Sequence, residues 1–159
     1  MPRDNIADFN LCAGLIFSQT LAAFPNEIFL DKKAICEVLL NKELQEHKQD
    51  AYGQLYLDDS EHEEALKFVN GTGRWLVDEG YLRSRSQFHE PGAVTLTQNG
   101  FYILGTEALT SRGERLGRKL SENVEAGMWD AVREVTSDVL LAGIKLGWQE
   151  LIKAPGSTS

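Results

Sequence analysis

The chain reads as a mainly helical protein with a small β-ribbon near its middle and a long amphipathic helix at its C-terminal end. Three observations predict this. Apolar residues recur at three- and four-residue steps over most of the 159 residues. That period stops at Asp78-Glu79-Gly80-Tyr81-Leu82, where glycine ends a helix and short extended segments follow. It resumes at residue 111 and holds to about 153. The division is therefore a domain over 1–105, a helical oligomerisation or packing segment over 106–153, and a disordered tail over 154–159.

Each element has its own signal. Asp4 caps a helix over 5–24, whose stripe is Ile6, Phe9, Ala13, Ile16, Phe17, Thr20, Leu21 and Phe24. Leu11 and Leu15 widen the stripe, so this helix is buried on more than one side. Pro25 stops it. Glu27-Ile28-Phe29-Leu30 is short and apolar, a candidate third strand for the ribbon. Asp31 caps a second helix over 32–46, with Ala34, Ile35, Val38 and Leu39 facing inward. Segment 47–59 has no clear period; Gly53 breaks it, and Tyr52, Leu55 and Tyr56 suggest that it packs back onto the domain.

The third helix opens with Ser60 and Glu63, the spacing at which a hydroxyl and a carboxylate satisfy each other's orphan amides. Ala65, Leu66, Val69, Thr72, Gly73, Leu76 and Val77 keep the helical period. Gly71 and Gly73 each cost about 1 kcal/mol against alanine inside a helix, so they mark close approach by a neighbour or a local break. Gly80 suits a left-handed helix end. A ribbon over 81–88 and 93–97 follows, joined by His89-Glu90-Pro91-Gly92. Thr97 then caps a short helix containing Phe101 and Leu104, ended by Gly105.

Ser111 and Glu114 repeat the capping spacing and open one helix to about 153, roughly 60 Å long at 1.5 Å per residue. Gly127 is the point where it kinks or breaks. Met128, Val132, Val135, Val139, Ala142 and Leu146 alternate steps of four and three, a heptad seam. The preferred reading pairs this seam with a second subunit, which makes a homo-oligomer the expected state. Folding back onto the first helix is the second reading, and Gly113-x-x-x-Gly117 and Gly143-x-x-x-Gly147 permit close helix packing in either case; membrane-surface binding through the apolar run Val139 to Trp148, too short to span, is the third.

Composition narrows the function classes. The net charge is −8, and the acidity sits almost wholly in residues 1–65. Such a field repels phosphate, which disfavours DNA without excluding it, because a local basic patch can dominate at contact range. Cys12 and Cys36 lie in apolar helical patterns and read as core residues. His47, His62 and His89 share no metal spacing, and Glu61-His62-Glu63-Glu64 reads as a solvated acidic helix start. No nucleophile elbow and no glycine-rich phosphate loop occurs. The expectation is a protein without enzymatic activity, cofactor or metal. Trp75, Trp129 and Trp148 read as core or interface anchors. Residues 1–4 do not read as a signal peptide, and no stretch approaches the roughly 18 apolar residues of a membrane span. A cytoplasmic location is the expectation.

Leu76, Gly80, Leu82, Leu96, Thr97 and Gly100 match a pattern in which a leucine-x-x-x-glycine helix end is followed by a wing and then by leucine-threonine-x-x-glycine. In this respect the chain resembles the winged helix-turn-helix superfamily of bacterial regulators. The match covers about 40 residues. The resemblance implies a winged helix-turn-helix core, a recognition helix over 61–79 and a wing tip over 88–93. It points to Lys67, Asn70 and Arg74 on the exposed side of that helix, and to Arg83 and Arg85 on the wing strand, as candidate docking or DNA-contact residues. Three roles stay open for these five: solvated surface, protein docking and DNA contact. Asp58, Asp59, Glu61, Glu63 and Glu64 stand where phosphates would lie. The sequence therefore points first to an oligomeric interaction or adaptor module with an unidentified protein partner. A DNA-binding regulator dimerising through its C-terminal helix is the second reading.

Overall fold

The computed structural model describes residues 4–44, 48–49, 55–56, 60–86, 91–106 and 115–153, with side chains described over 4–44, 60–86, 91–105 and 115–145. In chain order the elements are α1 (Asn5–Ala23), α2 (Lys32–Leu40), β1 (Lys48–Gln49), β2 (Leu55–Tyr56), α3 (Ser60–Asp78), β3 (Leu82–Ser84), β4 (Val94–Leu96), α4 (Gln98–Phe101), a π-helical turn (Tyr102–Thr106), α5 (Leu116–Glu125) and α6 (Trp129–Lys153). The protein is mainly helical with small antiparallel sheets.

Helix α1 is the axis of the core. Asp4 accepts hydrogen bonds from the Ile6 and Ala7 amides at 3.1 Å and so caps its start. Every residue from Leu11 to Phe17 is buried, because α1 packs against α2, α3, α5, α6 and β4 at once. Its most extensive contact is with α6. One consequence corrects the sequence expectation about membrane spans: α1 is long and apolar enough to cross a membrane by length and composition, with a mean hydropathy of 1.3. The core accounts for that composition, since a helix enclosed on several sides needs apolar residues around its circumference.

Three helices end in the same way. At α2, α3 and α5 a residue in the left-handed region follows the last turn: Asn41 at φ 54°, Gly80 at φ 86° and Gly127 at φ 67°. In each, two amides reach back to orphan carbonyls. Tyr81 N–H donates to the Leu76 carbonyl at 2.9 Å and Gly80 N–H to Val77 at 3.1 Å. Lys42 and Asn41 repeat the pattern on Glu37 and Val38, and Met128 and Gly127 repeat it on Asn123 and Val124. Here one sequence expectation is corrected and one is narrowed. The second helix ends at Leu40 rather than 46, because asparagine tolerates the left-handed conformation. The C-terminal helix is not continuous over its length: at Gly127, where the sequence allows a kink or a break, it breaks into α5 and α6. The proposed cap at Ser111 and Glu114 and the tail over 154–159 lie outside the described residues.

The ribbon pairs Leu82 with Leu96, Arg83 with Thr95 and Ser84 with Val94. Ile28 and Val94 exchange two hydrogen bonds, at 2.9 and 2.8 Å, so the segment after α1 does join the ribbon as a third, one-residue strand. The shorter β1 and β2 pair with each other, Lys48 opposite Tyr56. Thr97 ties ribbon to helix. Its hydroxyl donates to the Gly80 carbonyl at 2.6 Å and accepts from the Gly100 amide at 3.0 Å, while its own amide donates to Tyr81 at 3.1 Å. A side chain at residue 100 would run into the Tyr81 carbonyl. Leu76, Leu82, Val94 and Leu96 lie in the same buried cluster as α1. The motif residues thus have a common physical purpose: they turn the chain back at the end of α3.

The heptad seam is occupied inside the chain. Val132, Val135 and Val139 are buried in the core, against α1. Met128 is 56 % exposed, Ala142 is half-buried, and the Leu146 side chain lies outside the described set. The stripe therefore does not serve as a free seam between subunits. One cluster also spans both proposed segments, joining Leu11, Leu76 and Leu96 to Leu116, Leu120 and Val139.

Candidate docking face on the third helix

The buried side of α3 consists of His62, Ala65, Val69, Thr72, Gly73 and Leu76. Burial of His62 corrects the reading of 61–64 as a wholly solvated start; Glu61, Glu63 and Glu64 are the exposed members. The opposite arc, one residue per turn, is Glu64, Lys67, Gly71, Trp75 and Asp78.

The structure separates the five candidate residues. Lys67 and Arg83 are exposed. Arg74 reaches Asp78 at 3.0 Å and donates to the Ser86 carbonyl at 3.3 Å, so it fastens α3 to the ribbon. Arg85 pairs with Glu27 at 3.3 Å while remaining 89 % exposed. Asn70 is half-buried, and its Oδ1 is buried with no hydrogen-bond partner among the described residues. The cationic surface is therefore dispersed: two of the three arginines already face a carboxylate. Exposed pairs of this kind are weak and exchangeable, yet each places a negative charge where a phosphate would have to approach. Of the segment 88–93 expected from the resemblance to be a wing tip, 88–90 lie outside the described residues; Pro91 is buried and Gly92 half-buried.

On its other edge α3 forms a groove with the start of α1. The groove has a volume of about 590 Å³. Phe9, Phe68, Gly71 and Trp75 line it, together with Glu64 and Lys67. Phe9 meets Trp75 edge-on at 5.1 Å between ring centroids, and Trp75 lies 6.1 Å from the Tyr81 ring at 20°. Trp75 is nevertheless 41 % exposed. The two central glycines of α3 have different reasons. A side chain at 73 would press against Pro91, which is the close approach expected from the sequence. A side chain at 71 would meet nothing within 4 Å, because it would project into the groove. Sequence reasoning missed this groove. Its signal was present as the spacing 64, 67–68, 71 and 75, where small and aromatic residues share the arc opposite the core stripe.

Among the described residues no group of three or more histidine, cysteine or acidic side chains could hold a metal ion. Cys12 and Cys36 are both fully buried, as the sequence predicts. Burial pushes the Cys12 thiol up to about 12, against an opposing hydrogen bond from Thr72. Cys36 is pushed up to about 11, again chiefly by burial. Neither thiol has the electropositive, accessible setting of a nucleophile.

No protein-family model matches the chain, and neither a curated protein nor a solved structure matches it.

Proposed function

We propose that this chain is a non-enzymatic winged-helix protein whose α3 face docks protein rather than DNA. The fold half of the reading is supported by element order. A helix, a bridging strand at Ile28, a second helix, the short β1–β2 pair, a third helix and a ribbon follow one another, and the strand pairs with the second ribbon strand. The functional half is carried by one observation: the outer arc of α3 presents an apolar, aromatic-walled groove beginning among exposed carboxylates. Helix-in-groove recognition uses such a surface, with apolar anchors for affinity and rim charges for register. Phosphate recognition uses the reverse arrangement, clustered cations and few acids.

The second reading, a DNA-binding regulator, is favoured by the exposure of Lys67 on α3 and of Arg83 on β3. Fluorescence anisotropy on random duplex DNA across a salt series separates the two. Docking of protein alone gives affinity weaker than the roughly 10⁻⁴–10⁻⁶ M typical of non-specific binders near physiological salt. Tighter binding overturns the first reading if Lys67→Ala and Arg83→Ala each flatten the salt slope by about one.

A further inference from the structure

Two aromatic residues on the groove side of α3 each have a carboxylate one turn away. Glu64 precedes Phe68 by four residues, and Glu79 follows Trp75 by four. Glu79 continues the helical ladder, its amide donating to the Trp75 carbonyl at 2.9 Å. At 3.6 residues per turn each carboxylate stands about 40° around the helix from its aromatic, so each pair shares a face. Gly71 lies between the two pairs, and a side chain there would meet nothing within 4 Å. Glu64 and Glu79 are exposed and have no ion pair among the described residues. Glu61 and Asp78, on the same side of α3, are instead held by Lys42 and Arg74, each at 3.0 Å. Lys67 also lines the groove, about 100° around the helix from Phe68. The groove side of α3 thus carries two unpaired carboxylates against one ammonium. Tyr81 stacks on Trp75 and Phe9 meets it edge-on, yet the indole stays 41 % exposed.

We propose that the groove takes a basic amphipathic helix of a partner protein, with an aliphatic side chain over Gly71 and an arginine on either side of it, one on Phe68 beside Glu64 and one on Trp75 beside Glu79. This rests on the reading of the α3 face as a protein-docking surface and names the chemistry of its partner. Spacing fits first. Phe68, Gly71 and Trp75 follow one another along the axis at steps of about 4.5 Å and then 6 Å. A helix lying along α3 matches those steps with side chains at i, i+3 and i+7, or at i, i+4 and i+7 in the opposite direction, and these project from one face. Charge fits second. A guanidinium is planar, stacks on an aromatic ring and donates paired hydrogen bonds to a carboxylate, so arginine uses both members of each pair. An acidic segment meets two like charges and one ammonium, and a phosphate backbone is repelled by the same two carboxylates.

The test uses two synthetic helical peptides, identical except that arginines at i and i+7 around a leucine in one are glutamates in the other. Each is labelled and titrated with the full chain by fluorescence anisotropy near physiological salt. The arginine peptide is expected to bind about tenfold more tightly or better. Gly71→Leu takes the space of the entering leucine and is expected to weaken that binding by about tenfold, as loss of an interface anchor does. Glu79→Lys is expected to weaken it by about fivefold and to strengthen binding of the glutamate peptide. Both variants are expected to keep the far-UV circular dichroism and melting temperature of a folded chain. A side chain at 71 meets no atom and improves helix propensity, and residue 79 is exposed at a helix C-terminus, where a cation is favourable. An arginine peptide that does not bind overturns the proposal. So does equal binding of the two peptides, or binding that responds to only one of the variants or to neither. A glutamate peptide that binds more tightly and is blocked by Gly71→Leu overturns the proposal while leaving the docking-face reading standing, whereas tight DNA binding through Lys67 and Arg83 overturns that reading itself.

Discussion

The Tyr81 hydroxyl donates a hydrogen bond to the Leu140 carbonyl at 3.2 Å, across 59 residues of sequence. It joins the turn that closes α3 to the middle of α6. The contact is possible because residue 143 is glycine: any side chain there would overlap the Tyr81 ring. Phe17 meets the same ring edge-on at 5.7 Å, so α1, the α3 turn and α6 converge on one tyrosine. Burial also raises the Tyr81 phenol above its ordinary value of 10.0.

This junction gives a graded prediction. Tyr81→Phe removes one partly buried hydrogen bond and is expected to cost about 1 kcal/mol. Gly143→Val forces α6 away from the ring and is expected to cost more, about 1–3 kcal/mol, as overpacked cores do. Urea denaturation of the two variants measures both; an equal or reversed ranking would show that the packing, not the bond, is dispensable.

The turn itself depends on backbone sign. Gly80→Val places a β-branched residue at φ 86° and is expected to lose roughly 1–2 kcal/mol from that strain alone. Gly80→Asn is expected to lose less, since Asn41 already holds φ 54° in this chain. Midpoints that fall equally for both would remove the conformational explanation.

The buried seam predicts a folding defect rather than an assembly defect. Val139→Asp puts an unpaired carboxylate in the core, with an expected loss of about 3–5 kcal/mol and little soluble protein. Met128→Asp, at a position 56 % exposed, is expected to leave the fold intact. Soluble, folded Val139→Asp protein would contradict the packing of α6 on α1.

The cysteines set an alkaline limit. Both thiols have folded-state values raised above the ordinary 9.0, Cys12 to about 12 and Cys36 to about 11. A raised value means that the folded state holds the proton longer. Stability from this source is complete below pH 9 and falls as pH rises from 9 through about 11 and 12. The expected slope is about 1.4 kcal/mol per pH unit for each thiol within its window. Cys12→Ala is expected to flatten the steepest part of that loss, and a thiol reagent at neutral pH is expected to modify the wild type only in denaturant.

Much of the local structure was legible because its causes are local. Asp4, Asp31 and Thr97 cap helices through side chains two or three residues from the amides they serve. Gly80 closes α3 through bonds that span at most five residues. The candidate site was only half legible. Lys67 and Arg83 stand on the surface as their positions suggest, but Arg74 and Arg85 turn to Asp78 and Glu27. Partners such as Glu27 and Arg85 are brought together by the fold, and no spacing rule connects them.

The sequence by itself determined that this is a mainly helical chain with a ribbon, where α3 starts and how it ends, and that α6 has an apolar stripe to bury. Tertiary structure decided what that stripe meets. Hydrophobic burial is non-directional, so a heptad pattern states that a face must leave water without stating whether α1 or a second subunit covers it. Tertiary structure also decided that Gly73 marks a close approach while Gly71 opens a groove, and that Phe9 from α1 stands beside Trp75 of α3. Those outcomes depend on which surfaces remain after the core has closed, and a residue's own neighbours in sequence carry no record of that.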